Sequence, residues 1–178
     1  MDQPILFRKS DLILPKPYTP LQAKYPQAGV DVSLRGLLQM TVSLSDNTAA
    51  DILLRLGDSP RIVREYIAPL GVRGFELQDD ERALHRDHAP QSRNWFEPAG
   101  AVQLLRTIAE RSPLTTEHIA LLMEWMSASS GHLGADLPNG SRVAHQTGHS
   151  DVDNGVAAAT NDIGLITRAD GSLRLLHS

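Results

Sequence analysis

Three short polar motifs contain residue types that could perform acid–base chemistry on an amide-like substrate. Ser45, Asp46 and Asn47 lie in a polar break between two apolar stripes, where a hydroxyl could relay a proton and a carboxamide could bind an amide. Glu81 lies in a long polar segment, where a held carboxylate could activate water. Residues 143–148 resemble a strand whose edge could bind a carboxylate and an oxyanion. Taken singly, these motifs are more typical of a helix cap, a solvated loop and an ordinary strand.

The elements that must position these motifs follow from apolar periodicity and from turn residues. Helices are predicted to begin at Asp31 or Ser33, at about Thr48, after Ser59-Pro60, near Glu97-Pro98, and at Thr115 or Thr116. Strands are predicted over Arg142 to Thr147, over Gly155 to Arg168, and from Ser172 onward. Residues 1–30 are predicted to form loop structure and a short strand at 4–8, without a helix. Residues 72–96 are predicted to form a long loop.

Composition narrows the class of protein. The 178 residues suit one domain, or two small lobes that share a core, and 41% hydrophobic residues argue against wholesale disorder. The absence of cysteine excludes disulfides, thiolate zinc sites and cysteine nucleophiles. No apolar run approaches the ~20 residues of a membrane span, and a net charge of -4 disfavours a generic nucleic-acid binder. The basic residues comprise 14 Arg and three Lys, and no cofactor is expected.

Together and in this order, the motifs resemble those of the class A serine β-lactamases, penicillin-recognising serine hydrolases whose signature set is S-x-x-K, S-D-N and K-T-G. Residues 41–54 resemble the helix–SDN–helix segment of that family, and residues 122–126 resemble a later helix. Residues 137–140 lead into the KTG-like strand, and residues 157–166 resemble the strand that follows. A histidine at position 85, where many members have asparagine, resembles the PER-like branch.

The resemblance implies an α+β, β-lactamase-like fold. A mainly helical lobe, with an omega-type loop at about 72–96, would span residues 1–135, and a partial antiparallel sheet with the KTG-like strand would span residues 136–178. The nucleophile helix and the N-terminal strands of the family would lie upstream of the region that matches residues 1–10. The chain would thus be truncated at both ends relative to the family.

The resemblance also implies roles for individual residues in β-lactam hydrolysis through an acyl-enzyme. Ser45 would relay a proton toward the lactam nitrogen, and Glu81 would be the deacylation base. His85 would border the water site, and the backbone N–H of His149 would form half of the oxyanion hole. The residues expected to contact substrate are Asn47, His85, Gln146, Thr147, Gly148 and His149.

Three departures weaken the implied activity. No serine precedes Lys9, Lys16 or Lys24 by three residues, so the 178 residues contain no S-x-x-K motif. Gln146 replaces the KTG lysine, which exchanges a charge-assisted hydrogen bond for a neutral one at a cost of about 1–2 kcal/mol. Asp79 occupies the position of an arginine that closes the omega loop in many members. We therefore expect an impaired or inactive enzyme, with a non-catalytic module that binds β-lactams or peptidoglycan-like ligands as the alternative.

Further expectations concern metal, assembly and location. A zinc site is disfavoured, because His145 and His149 would lie ~13 Å apart along a strand. His85 and His88 could approach within one turn, with Asp87 beside them, but spacing places no third ligand there. Self-association is expected if apolar surface and a sheet edge are uncovered. The family resemblance implies a periplasmic or secreted protein, whereas the first ten residues lack a signal peptide and indicate the cytoplasm for the chain as written.

Overall fold

The computed structural model describes residues 1–14, 18–86, 93–129, 133, 137–150, 152–153, 155–157 and 159–177. Its helices are α1 (Pro20–Lys24), α2 (Leu34–Leu44), α3 (Asn47–Leu56), α4 (Arg61–Ile67), α5 (Glu81–Arg86), α6 (Pro98–Arg111) and α7 (Thr116–Ser127). Its strands are β1 (Pro4–Phe7), β2 (Val30–Ser33), β3 (Phe75–Glu76), β4 (Trp95–Phe96), β5 (Arg142–His149), β6 (Val152–Asp153), β7 (Val156–Ala157), β8 (Thr160–Thr167) and β9 (Leu173–His177). The predicted α+β class is confirmed.

The chain forms two compact units. Unit 1 comprises Met1–Gly71 and Glu76–Trp95, and unit 2 comprises Val72–Phe75 and Phe96–Ser178. The expected lobe boundary at residue 135 does not coincide with this division, because α6 and α7 pack on the sheet of unit 2. In that unit α7 contacts β5, and α6 contacts β8 and β9.

Unit 1 is built around an apolar core that α2, α3 and the β1–β2 pair share. Strand β1 pairs with β2 in antiparallel fashion, with Pro4 opposite Ser33 and Phe7 opposite Val30. The buried core residues are Ile5, Phe7, Leu21, Leu37, Ala49 and Ile52. Helix α2 begins where predicted, because the Ser33 side chain accepts a hydrogen bond from the backbone N–H of Gly36.

Unit 2 is built on a three-stranded antiparallel sheet in the order β5-β8-β9. Arg142 lies opposite Thr167 and His149 lies opposite Thr160, so β5 and β8 pair over their full length. The buried apolar residues of the helices and the sheet are Ala101, Leu105, Trp125, Met126, Ala144, Leu165 and Ile166. The predicted strand at Arg142 and the strand after the turn at 169–171 are both confirmed.

Two α-helices of the described residues lie in segments predicted to have no helix. Helix α1 forms because the Thr19 side chain accepts from the N–H of Gln22 and Pro20 occupies the first helical position. Helix α5 interrupts the segment predicted as a loop over 72–96. The Asp80 side chain accepts locally from the N–H of Ala83, and the N–H groups of Glu81 and Arg82 donate to the distant Asp51 side chain. The predicted strand at 4–8 is confirmed over residues 4–7. No helix among the described residues is both long and apolar enough to cross a membrane.

Candidate functional site

The Ser45–Asn47 segment connects the end of α2 to the start of α3. Ser45 has φ 50° and ψ 43°, the left-handed conformation that often ends a helix, and its backbone N–H donates to the carbonyl oxygen of Met40. Asp46 then caps α3, and Asn47 is the first residue of that helix. The side chains of Ser45 and Asn47 therefore extend from a sharp backbone turn. The end of α2 and the start of α3 set the geometry of that turn.

Asp46 anchors this turn inside unit 1. Its side chain is fully buried and accepts hydrogen bonds from the Thr19 hydroxyl at 3.1 Å, the Leu21 N–H at 2.6 Å and the Ala49 N–H at 2.8 Å. These three donors satisfy a buried carboxylate, and all three are neutral groups. Because Asp46 lies between Ser45 and Asn47, this network fixes the backbone that carries both.

Asn47, His85 and Glu81 come together in unit 1. Asn47 Nδ2 lies 2.8 Å from His85 Nε2, a bond that links the start of α3 to α5. His85 Nε2 lies 3.9 Å from Glu81 Oε2, one helical turn earlier on α5. The His85 side chain is 17% exposed and that of Glu81 is 35% exposed, so both remain partly accessible to a ligand. A carboxamide, an imidazole and a carboxylate thus lie within one polar cluster.

Asp51 attaches α5 to α3. It follows Asn47 by one helical turn, and its carboxylate accepts from the backbone N–H of Glu81 at 2.8 Å and of Arg82 at 3.1 Å. Burial is the main cause that raises the pKa of Asp51 to about 6, with a smaller contribution from the nearby Asp80 carboxylate, and the two backbone hydrogen bonds oppose the shift. The residue that positions Glu81 is therefore itself a titratable group.

Polar contacts within unit 1 join residues 78–79 to residues 93–94, on either side of the segment that carries α5. Arg93 Nε and Nη2 donate to the two carboxylate oxygens of Asp79 at 2.7 and 2.8 Å. Asn94 Oδ1 accepts from the N–H groups of Gln78 and Asp79, and Asn94 Nδ2 donates to the Asp79 carbonyl oxygen. Asp79, in the position where the resemblance implies an arginine, forms an ion pair in which it supplies the negative partner.

Gln146, Thr147, Gly148 and His149 lie on β5 in unit 2. Strand β5 is an edge of its three-stranded sheet among the described residues. The N–H of Ser150 donates to the carbonyl oxygen of Ala159, just before β8, and alternate residues of an antiparallel ladder direct their N–H groups to opposite sides. The N–H of His149 is therefore directed away from β8, toward the open edge.

His145 and Asp162 form a buried pair between β5 and β8. His145 Nδ1 lies 2.9 Å from Asp162 Oδ1, and His145 Nε2 lies 3.2 Å from the carbonyl oxygen of Ser129. Asp162 Oδ2 also accepts from the N–H of Leu133 at 3.0 Å. The pair thus ties β5 and β8 to the residues that follow α7.

Metal chemistry receives no support from the described part of the chain. Among those residues, no group of three His, Asp or Glu side chains is placed to hold a metal ion. Asp87 and His88, which entered the zinc alternative, lie outside the described residues. His145, the other histidine considered for zinc, lies within hydrogen-bonding distance of Asp162.

Two anchoring residues escaped the sequence reasoning. Asp51 could have been found, because a carboxylate four residues after Asn47 on a predicted helix must share its face. The Asp162–His145 pair had a weaker signal, since only the pairing of residue 145 with residue 164 brings position 162 near. The structure places Ser45, Asn47, Glu81 and His85 in unit 1 and the four β5 residues in unit 2.

Comparison with known proteins gives one consistent family. The family model described as "Beta-lactamase enzyme family" matches residues 1–174. The extended-spectrum β-lactamase PER-1 of Pseudomonas aeruginosa is 34% identical over 89% of this chain and 53% of its own length. The β-lactamase VEB-1 of the same organism is 33% identical over 97% of this chain and 58% of its own length.

Solved structures agree with these sequence relatives. The crystal structure of the TLA-1 extended-spectrum β-lactamase matches with a TM-score of 0.93 and 36% identity, and the match covers 99% of this chain and 65% of that one. A β-lactamase from Chitinophaga pinensis matches with a TM-score of 0.91 and 36% identity over 99% of this chain and 66% of its own.

The coverage is asymmetric in both comparisons, because the chain spans little more than half the length of the curated relatives it matches. The fold expected from the sequence, helices followed by small antiparallel sheets, is the fold of these neighbours. The motif resemblance, the family match and the structural similarity agree, and the chain belongs to the class A β-lactamase family, in its PER-like branch.

Proposed function

We propose that this chain carries the β-lactam-binding residues of a class A β-lactamase, and that the 178-residue polypeptide is impaired in hydrolysis. The observation that carries the proposal is the group formed by Asn47, His85 and Glu81, in which a carboxamide bonds to an imidazole one turn from a carboxylate. These are the groups needed to bind an amide and to activate water.

Each residue has a proposed task within that function. Ser45, at the left-handed turn before α3, relays a proton toward the lactam nitrogen. Asn47 binds the side-chain amide of the ligand, and Glu81 polarises the water that His85 borders. Asp51 supports Glu81, since it accepts hydrogen bonds from the N–H groups that begin α5.

The β5 residues have complementary proposed tasks. Gln146 and Thr147 bind the ligand carboxylate, with Gly148 leaving the strand edge open to approach. The N–H of His149 donates to the carbonyl oxygen on which negative charge develops, because it is directed to the open side of β5. Gln146 supplies a neutral donor where the K-T-G signature supplies a cation, which weakens carboxylate binding.

Impaired hydrolysis follows from the residues that the polypeptide contains. The family reaction needs the serine and lysine of an S-x-x-K motif, and no lysine in these 178 residues follows a serine by three positions. Loss of the nucleophile lowers turnover on the order of a million-fold in serine hydrolases. The ligand would then bind reversibly without an acyl-enzyme.

Nitrocefin turnover tests this proposal. We expect the purified polypeptide to hydrolyse nitrocefin no faster than its Glu81→Gln variant does. Robust hydrolysis that the single change Ser45→Ala abolishes would overturn the proposal of impaired catalysis.

A non-catalytic binding module is the second candidate, and the hydrogen-bonded Asn47–His85 pair favours it because this pair needs no nucleophile. Calorimetry with a penicillin at millimolar concentration distinguishes the candidates. Saturable heat without hydrolysis supports a binding module, whereas no heat at that concentration argues against it. The same calorimetric titration with peptidoglycan fragments tests binding of peptidoglycan-like ligands.

Assembly and location are proposed on the family and on exposed surface. Exposed apolar side chains on unit 1 include Leu14, Tyr18, Leu56, Ile62 and Tyr66. We propose that such surface promotes self-association of the 178-residue polypeptide, which sedimentation over a concentration series tests. A single monomeric boundary at all concentrations would contradict it. The family membership favours a periplasmic or secreted setting, and fractionation of cells that express the native gene tests that location.

A further inference from the structure

We propose that His85 is a positioning residue for Asn47. The unprotonated Nε2 of His85 accepts a hydrogen bond from Asn47 Nδ2, and this bond fixes the carboxamide that contacts the ligand amide. The ligand half of this inference rests on the proposed function. The tautomer and the bond do not, because they are properties of unit 1 alone.

The polarity of the bond follows from the two atoms that it joins. A carboxamide nitrogen carries two hydrogens and has no acceptor capacity, so at 2.8 Å from a ring nitrogen it must donate. His85 Nε2 is then the acceptor, and a neutral histidine with an acceptor at Nε2 has its proton on Nδ1. The geometry therefore assigns one tautomer out of two.

The backbone of Asn47 is held in place by the residues on either side of it. Its flanking residues Asp46 and Thr48 are fully buried and hydrogen-bonded, to Ala49 and Gln22 among others, so the backbone of Asn47 is held. The remaining freedom is rotation of the Asn47 side chain, and the bond to His85 removes it. One N–H of the carboxamide is committed to His85, while the carbonyl oxygen and the second N–H have their plane set by that bond.

The charged groups near His85 on the two helices explain why the neutral form matters. Glu81 lies 3.9 Å away on the same helix, and Asp51 lies on α3 beside the first turn of α5. A doubly protonated imidazole would have an N–H at Nε2 and would donate toward Glu81 instead of accepting from Asn47. The neutral Nδ1–H tautomer is the form that keeps Asn47 in place.

Nuclear magnetic resonance reads the tautomer directly in the intact polypeptide. Long-range proton–nitrogen correlation spectra on labelled histidine report which ring nitrogen carries the proton, and the His85→Gln variant assigns the His85 signal. We expect the Nδ1–H tautomer in the native chain. We expect Asn47→Asp, which replaces the donor by an acceptor, to move the proton to Nε2. An Nε2–H tautomer in the native chain would overturn the inference, as would a tautomer that Asn47→Asp leaves unchanged.

Ligand titration reads the positioning role. Benzylpenicillin carries a side-chain amide, and 6-aminopenicillanic acid lacks it. We expect His85→Ala to weaken the binding of benzylpenicillin about fivefold more than that of 6-aminopenicillanic acid, the equivalent of one neutral hydrogen bond. His85→Gln, whose carbonyl oxygen can accept from Asn47, should restore most of the loss. Arg86→Ala, at the exposed end of α5, is the matched control.

The outcomes separate the two proposals. Equal weakening of both ligands by His85→Ala would overturn the positioning role and indicate a general structural one. If neither ligand binds the native polypeptide, the proposed function fails, and the tautomer measurement alone decides whether His85 positions Asn47.

Discussion

Asp46 in unit 1 and Asp162 in unit 2 are both buried carboxylates, and they are stabilised in different ways. Asp46 accepts from a hydroxyl and two backbone N–H groups, one of them in the helix that it caps. Asp162 accepts from a histidine ring and one backbone N–H. The first depends on neutral donors and on a helix start, whereas the second depends on a side-chain partner 17 residues away. The Asp46 carboxylate is therefore satisfied mainly by backbone donors, while the Asp162 carboxylate depends on the His145 side chain and on one backbone N–H.

Removing the Asp46 carboxylate should have the largest effect on stability. Asp46→Ala leaves three donors unpaired, one of them at the start of α3, and each lost bond to a charged group contributes about 1.5–3 kcal/mol. We expect the free energy of unfolding to fall by about 4–5 kcal/mol, near the lower end of that sum because neighbouring contributions are not additive, measured by urea denaturation. Native-state hydrogen exchange should assign the loss to unit 1.

Asp2→Ala provides the matched control for that variant. The Asp2 side chain is 93% exposed and lies 3.8 Å from Arg35, so we expect a change within about 0.5 kcal/mol. Equal stability of Asp46→Ala and Asp2→Ala would show that the buried network contributes nothing net, and the comparison between the two units would fail.

Removing the Asp162 carboxylate should have the next largest effect. Asp162→Ala leaves the His145 ring without its carboxylate and the N–H of Leu133 without an acceptor. Breaking one partner of a buried pair costs about 3–4 kcal/mol. Hydrogen exchange should quicken along β5 and β8 and leave α3 unaffected. Faster exchange in α3 alone would contradict the assignment of this pair to unit 2.

The sequence predicted most of the helices and strands, because their signals are local. Ser33 is predicted to begin a helix and Ser172 to begin a strand, and the structure begins α2 at Leu34 and β9 at Leu173. The S-D-N motif and the K-T-G-like residues 146–148, which resemble those of the family, are also local. Each of these signals involves residues a few positions apart.

The anchors of the candidate site were harder to predict, because they join residues distant in sequence. Helix α5 has few apolar residues of its own and forms where Asp51, 30 residues earlier, accepts from Glu81. The link from Asn47 to His85 spans 38 residues. Periodicity cannot reveal such contacts, so the segment predicted as a loop contained the helix that carries the candidate base.

The pH dependence of stability provides a further test of how buried carboxylates stabilise unit 1, because Asp51 is a largely buried carboxyl with a strongly raised pKa. Its pKa is about 6 in the folded chain, against an ordinary aspartate value of 3.8, so folding favours its protonated form. The corresponding stability is fully present below pH 3.8 and is lost as pH rises through about 6. We expect this group to contribute about 2–3 kcal/mol more stability at pH 4 than at pH 7.5, by denaturation at both values.

Asp51→Asn isolates this contribution from those of other titrating groups. The variant keeps one oxygen acceptor for the N–H of Glu81 or Arg82 and has no proton to lose. The stability difference between the native chain and Asp51→Asn should therefore grow in favour of the native chain as pH falls through about 6. A difference that stays constant across this range would exclude Asp51 as the titrating group.

The ion pair between Asp79 and Arg93 should have the smallest effect on stability. It tests whether burial determines how much each polar contact stabilises unit 1. The Asp79 side chain is 13% exposed and that of Arg93 is 49% exposed, and two hydrogen bonds join them. A double-mutant cycle with Asp79→Ala and Arg93→Ala should give a coupling energy of about 1 kcal/mol, reduced in salt of about 1 M. A coupling energy as large as the effect of Asp46→Ala would mean that the Asp79–Arg93 ion pair, and not the buried Asp46 network, dominates the stability of the segment that carries Glu81 and His85.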